Sequence, residues 1–144
     1  MAAEDDVNEL IEQYHLAQGE LFKGNPEPMK KLWSHRDDVS LANPYGSVAR
    51  GREQVGRARE HTASNFRDGE LTSIENVAKY VSAELAYVVE IERFKAKLGG
   101  TEDITPIAVR VTLILRPEEG TWKVVHRHAD QITTRRPAES VIQE

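Results

Sequence analysis

Hydrophobic and polar positions change rhythm about halfway along the chain. In the first half, Val7, Leu10, Ile11, Tyr14, Ala17, Leu21 and Phe22 recur at helical spacing. They predict a first helix, with Asp5 and Asp6 favourable at its start and Gly24-Asn25 ending it. "PEPMKKLWSH" predicts a short second helix entered through proline, with Met29, Leu32 and Trp33 on one side. "DDVSLAN" reads as a short strand placing Val39, Leu41 and Asn43 on one face, and "GREQVGRAREHTASNFRDG" as a third helix with Val55, Ala58 and Phe66 apolar. Beyond it the period falls to two. "ELTSIENVAKYVS" and "ELAYVVEIERFKA" form a hairpin around Ser82-Ala83. "TPIAVRVTLILR" is the longest strand, with Ile107, Val109, Val111, Leu113 and Leu115 on one face and Arg110, Thr112 and Arg116 on the other. "PEEG" turns the chain into the last strand, "TWKVVHRHADQ". Helices first and an antiparallel meander after them define an α+β fold, with helices packed on one face of a curved sheet. The reading is one domain over residues 1–131 and a loose extension over 132–144.

Composition narrows the functional classes. The chain has 144 residues, enough to bury a core. Its net charge of −5 argues against a nucleic-acid partner, since such domains usually carry a basic excess. The absence of cysteine removes disulfides, thiolate nucleophiles and cysteine-based zinc sites. No apolar run approaches the roughly 18 residues needed to span a bilayer, and "MAAEDDVNEL" lacks the apolar core of a secretory signal. A cytoplasmic protein without a membrane partner is the expectation.

Two local motifs then carry a resemblance. "LWSHRDDVSLANPYGSVARGREQV" gives a short helix, Asp-Asp, a strand, a Pro-x-Gly turn and a Gly-Arg-Glu helix start; "VTLILRPEEGTWKVVHRHAD" gives a strand, an acidic-glycine hairpin and Trp-x-x-x-His-x-His. In this order, over roughly Val7 to Gln131, the chain resembles the SnoaL-like, ketosteroid-isomerase-like group of the nuclear-transport-factor-two superfamily. The resemblance implies a cone: a strongly bent antiparallel sheet wrapped around the N-terminal helices, a cystatin-like architecture. It also implies an apolar cavity for a small apolar molecule, a homodimer through the sheet's outer face, and chemistry without a cofactor. The superfamily spans isomerases, dehydratases, cyclases, kinase hub domains and non-catalytic transport factors, so residues are carried over singly.

Ketosteroid isomerases hold a carboxylate before the Pro-x-Gly turn; here Asn43 stands there. An amide accepts no proton at neutral pH, so general-base catalysis at Asn43 is closed. The isomerase's oxyanion tyrosine matches Ala17, with Tyr14 nearly one turn earlier as a substitute, and its strand acid falls among Arg110 to Leu113, where no acid stands. The arginines of the hub domains match Val89, one of Val111 to Leu113, and Ala129, which leaves an apolar pocket.

The candidate acid–base groups are therefore His128, Glu90 and Tyr14, and the candidate ligand contacts Asn43, Tyr45, Trp33, Val89, Leu113 and Arg127. Strand alternation puts His126 and His128 on one face with Trp122 and Val124, and Arg127 opposite with Val125 and Ala129. The histidine face is either the outer sheet surface or the pocket. A metal held by the histidine pair would need a third ligand such as Glu90 or Glu92, and no metal site is assigned. Arg110 reads as the cross-strand ion partner of Glu90 or Glu92. Two functions follow: a cofactor-free isomerase, cyclase or dehydratase acting on a small apolar carbonyl compound, or a non-catalytic ligand-binding or assembly module.

Overall fold

The computed structural model describes residues 3–143. Helix α1 (Ala3–Leu21) follows the apolar repeat: Val7, Leu10, Tyr14, Ala17 and Leu21 are buried along it, and Glu4, Asp5 and Asp6 occupy its first turn. Helix α2 (Glu27–Leu32) starts after Pro26 and buries Met29. Strands β1 (Ser40–Ala42) and β2 (Val48–Arg50) flank the Pro-Tyr-Gly turn. Helix α3 (Arg52–Asn65) begins after Gly51, whose φ of 85° suits glycine. Four long strands complete the chain: β3 (Phe66–Val81), β4 (Ala86–Leu98), β5 (Ile104–Glu118) and β6 (Thr121–Asp130). A single 3-10 turn, Ala138–Val141, lies exposed in the tail.

The six strands form one sheet in the order β2-β1-β6-β5-β4-β3. The meander β3 to β6 is antiparallel as expected. The departure is β1, which lies parallel to β6 and pairs Leu41 with Arg127. Residues predicted as one strand and a turn thus supply a two-strand edge to a mixed sheet. The third helix is also shorter than its pattern suggested. It ends at Asn65, and Phe66 opens β3 instead of closing the helix. Just inside β3, the Gly69 backbone N–H donates to Phe22 O at 3.1 Å. A Cβ at Gly69 would stand 2.5 Å from Phe22 Cβ, so only glycine lets β3 pass this close to the end of α1.

Inner-face residues of the sheet pack on the helices. On β4 these are Ala86, Val88, Glu90, Glu92, Phe94 and Ala96; on β5 they are Val109, Val111, Leu113 and Leu115. Toward the C-terminal end of α1, Phe22 stacks on Phe94 with centroids 3.6 Å apart and Phe66 meets both edge-on. The outer face carries Tyr80 and Tyr87, stacked across β3 and β4 and exposed by 53% and 40%.

Phase on β6 is reset by a bulge. Ile114 pairs with His126 and Leu115 with Val124, so Val125 is the extra residue. Trp122 and Val124 before it, and Arg127 and Ala129 after it, therefore all face inward, with His126 and His128 outward. The expected common face of Trp122, Val124, His126 and His128 is corrected on this point. Two adjacent valines read equally well in either phase; only the bulge decides between them.

Candidate functional site

Arg127 is the pivot of the cone interior. Only 7% exposed, it reaches across β5 to Glu92 on β4, which is fully buried. Its Nη1 donates to Glu92 Oε2 at 2.9 Å and its Nη2 to Glu92 Oε1 at 3.1 Å. Nη1 also donates to Tyr14 Oη at 2.8 Å. Gln18, one turn along α1 from Tyr14, donates from Nε2 to Glu92 Oε1 at 3.3 Å. Burial opposes the charge of Arg127, but Glu92 and Tyr14 outweigh it and raise the guanidinium's pKa. Burial also pushes the Tyr14 phenol well above its ordinary value, with Arg127 only partly offsetting it, so Tyr14 stays protonated. Its oxygen accepts from Arg127, and no protein acceptor among the described residues takes its proton.

A second pair, between partly exposed His15 and buried Glu90, stands one step along β4. His15 Nε2 donates to Glu90 Oε1 at 2.9 Å and lies 3.1 Å from Oε2. Burial disfavours the imidazolium, but the hydrogen bond and charge of Glu90 overcome it and raise the His15 pKa.

A small cavity of about 30 Å³ opens beside Arg127 and Tyr14, room for about one water molecule. Leu21, Met29, Trp33 and Leu41 form its apolar wall; Tyr14, Gln18, Asn43, Arg59, Thr62 and Arg127 form its polar one. Asn43 Nδ2 donates to Thr62 Oγ1 at 3.4 Å, and Tyr45 Oη shares a 2.6 Å hydrogen bond with the same hydroxyl. Arg59 lies over the Trp33 ring, 5.7 Å from its centroid. Every lining group can hydrogen-bond or shield, but among the described residues no carboxylate or imidazole lines this cavity.

Of the residues singled out in the sequence, the structure thus brings Tyr14, Asn43, Trp33 and Arg127 to one cavity. Tyr45 touches the site only through Thr62 and is half exposed. Leu113 is buried in the core at the register position beside Arg127. Glu90 is buried on the inner face but is committed to His15 and does not line the cavity. Two placements are corrected. His128 lies on the outer face, its side chain 54% exposed and 3.4 Å from Asp130. Val89 falls on the outer face because the inner phase of β4 belongs to Val88 and Glu90. Arg110 is not the partner of either glutamate; it pairs with Asp130 at 2.8 Å on the outer face. The cavity is also not apolar, since two guanidinium groups reach it.

His15, Gln18, Arg59 and Thr62 were not singled out as site residues. The signals were present. "VVEIERF" puts Glu90 and Glu92 in the same phase as Val88 and Phe94, two acids on a core face. Arg59 and Thr62 follow Val55 around the apolar stripe of α3. Among the described residues no group of three or more His, Asp or Glu is disposed to hold a metal ion.

The SnoaL-like domain profile matches residues 7–132. The chain belongs to the SnoaL-like domain family. No curated relative matches it. A nuclear transport factor 2 (NTF2-like) superfamily protein from Salmonella enterica serovar Typhimurium superposes with a TM-score of 0.80 at 18% identity, covering 95% of this chain and 96% of that one. A structure named a "putative dehydratase from the NTF2-like family" from Streptomyces avermitilis gives 0.74 at 19%, covering 92% and 98%. A ketosteroid isomerase-like protein from Erwinia carotovora atroseptica gives 0.74 at 17%, covering 90% and 96%. At these identities the likeness establishes the fold, and the SnoaL-like cone expected from the sequence is the fold this chain has. Among the described residues no helix is long and apolar enough to cross a membrane.

Proposed function

We propose that the cone interior binds a small carbonyl compound and activates it electrophilically, in cofactor-free chemistry of the isomerase, cyclase or dehydratase type. The observation carrying this reading is the uncommitted proton of Tyr14, held in a buried cavity by a hydroxyl that Arg127 polarises. At about 30 Å³ the cavity admits only the carbonyl group of such a compound, its oxygen accepting from Tyr14 beside Asn43 and Thr62, with the rest of the molecule outside. Charge developing on that oxygen meets preformed donors that stabilise an enolate, and, with no base on the cavity wall, the α-proton leaves to solvent water or hydroxide at the cavity mouth. Glu92 does not face the cavity and is held by Arg127 and Gln18, so it is a poor base as placed. The donor-rich site therefore suits compounds that enolise readily, such as β-dicarbonyls, for which polarisation is the larger need. The names of two similar folds, a dehydratase and an isomerase-like protein, lie in the same chemical range.

A binding-only role is the second reading, favoured by the lack of a carboxylate or imidazole on the cavity wall. A homodimer through the outer sheet face accompanies either reading, supported by the exposed Tyr80–Tyr87 stack.

The test is turnover of β-dicarbonyls and enones followed by mass spectrometry, with wild type and Tyr14→Phe compared at equal thermal stability. Loss of one oxyanion donor costs about 100-fold to 1,000-fold in kcat. Compound that binds but leaves unaltered, with Tyr14→Phe weakening binding alone, would establish the binding-only role.

A further inference from the structure

Arg59 is a cation without a close acid. Among the described residues it makes no ion pair within 4 Å and no hydrogen bond, in a chain where most arginines near the cone are paired. The nearest acids, Glu27 and Glu60, are taken by Lys30 at 3.1 and 2.8 Å and act on Arg59 only from a distance. Desolvation by burial lowers its pKa, the opposite of what a paired guanidinium shows. Its nitrogens are not sealed: no buried side-chain nitrogen or oxygen among the described residues lacks a partner, so the unpaired donors of Arg59 stay open to a ligand. The Trp33 ring lies under it, its centroid 5.7 Å from the Arg59 Cζ.

Arg59 also lines two spaces at once. One is the cavity of about 30 Å³. The other is a cleft of about 210 Å³ between α2 and the first half of α3. Lys30, His35 and Arg52 line that cleft with Arg59, over a floor of Val39 and Val55, and no acidic residue lines it. Glu27 and Glu60 neutralise Lys30, so the charge the cleft offers a ligand is that of two guanidinium groups, Arg52 and Arg59. Both spaces together fall below the roughly 300–1,000 Å³ of drug-sized pockets, which restricts the ligand to a small molecule.

We propose that the ligand is a small oxo acid, its carboxylate held by Arg59 in the basic cleft and its carbonyl reaching Tyr14 and Asn43. The inference rests on the carbonyl-binding reading of the cavity and adds the charge of the ligand. A single planar guanidinium with open donors matches a carboxylate in a bidentate fork. Arg52, the cleft's other guanidinium without an acidic partner among the described residues, draws the anion in, and Arg59, shared by both spaces, sets which end of the molecule enters the cone.

The experiment uses 4-oxopentanoate and its methyl ester as probes, titrated at pH 7 into wild type, Arg59→Lys and Arg59→Met. Binding is read from the NMR signals of the Trp33 indole N–H and the Arg59 Nε–H, with circular dichroism to verify folding. The acid is expected to move both signals and to bind at least about tenfold more tightly than the ester, the effect of one charge-assisted hydrogen bond. Arg59→Met should abolish that preference and Arg59→Lys should keep part of it. Equal binding of acid and ester to wild type, or a preference that survives Arg59→Met, overturns the inference while leaving the carbonyl-binding reading intact. Arg59-dependent binding of the acid that ignores Tyr14→Phe and Asn43→Ala upholds the anion site and sinks the carbonyl reading. Unmoved signals with both probes overturn both. Should Arg59→Met fail to fold, the acid-to-ester ratio in wild type and in Arg59→Lys decides.

Discussion

Two regions under the same helix are built on opposite terms. Toward its C-terminal end, α1 runs into an aromatic cluster in which Phe22, Phe66 and Phe94 meet face and edge. One or two turns back, the same helix covers Arg127, Glu92 and Glu90, with Tyr14, His15 and Gln18 as its own contribution. The aromatic cluster of Phe22, Phe66 and Phe94 contains no ionisable side chain. The charged end carries a desolvation cost that only complete pairing offsets. A fold needing stability alone would have extended the first arrangement across the second. Instead, Arg127, Glu90, Glu92 and Tyr14 are kept buried there by mutual pairing and by His15 at the margin.

The largest effect should come from breaking the charged end by halves. Arg127→Met leaves Glu92 buried without its cation and should destabilise the protein by about 3–5 kcal/mol in urea unfolding. Arg127→Met combined with Glu92→Leu should recover most of that loss. If the double variant stays as unstable as the single one, the pair is holding the fold and the comparison fails. Phe94→Ala should cost about 3–5 kcal/mol by cavity formation, and equally at pH 5.5 and pH 9. A marked pH dependence there would show that the two ends are coupled.

His15→Gln sharpens the contrast further. The folded pKa of His15 is raised, so its protonated state stabilises the fold fully below the unfolded value of about 6.5. That contribution is lost as pH rises through the higher folded value. The difference between wild type and His15→Gln should be about 1.5 kcal/mol at pH 5.5, the scale of a charged hydrogen bond, and should shrink by pH 9. A difference that grows with pH would mean that His15 is neutral in its pairing. The smallest effect belongs to the outer face: Asp130→Asn, which breaks the exposed Arg110 pair, should change stability by less than about 1 kcal/mol.

The sequence carried the architecture well because its period is plain. Alternation over the long strands can be satisfied only by a sheet with one buried face, and the hairpins lie at Ser82 and at the acidic-glycine turn. The site was less legible, for reasons that are local. The phase of β6 depended on which of Val124 and Val125 is the bulge residue, and both are valine. Val89 and Glu90 are neighbours on opposite faces, and a one-residue choice of phase exchanges them. Arg59 resembled any other charged position on a polar helix, because its meaning lies in the acid it lacks, and the sequence is rich in glutamate nearby. Tyr14 and Asn43 were legible because a helix stripe and a turn fix where their side chains go.

The parallel seam between β1 and β6 has a consequence for how the molecule comes into being. Asn43, Arg59 and Thr62 belong to the first half of the chain, and Arg127 to the last strand. Ser40 finds its sheet partner 86 residues later, at His126. Contacts so distant in sequence close slowly, since the chain must first lose the entropy of a long loop. Until β6 is in place, β1 has only β2 as a sheet partner and Glu92 lacks its guanidinium. Ordering of β6 supplies the sheet edge, the counter-charge for Glu92 and the last wall of the cavity in one event. The mixed edge of the sheet and the wall of the pocket are therefore complete only together.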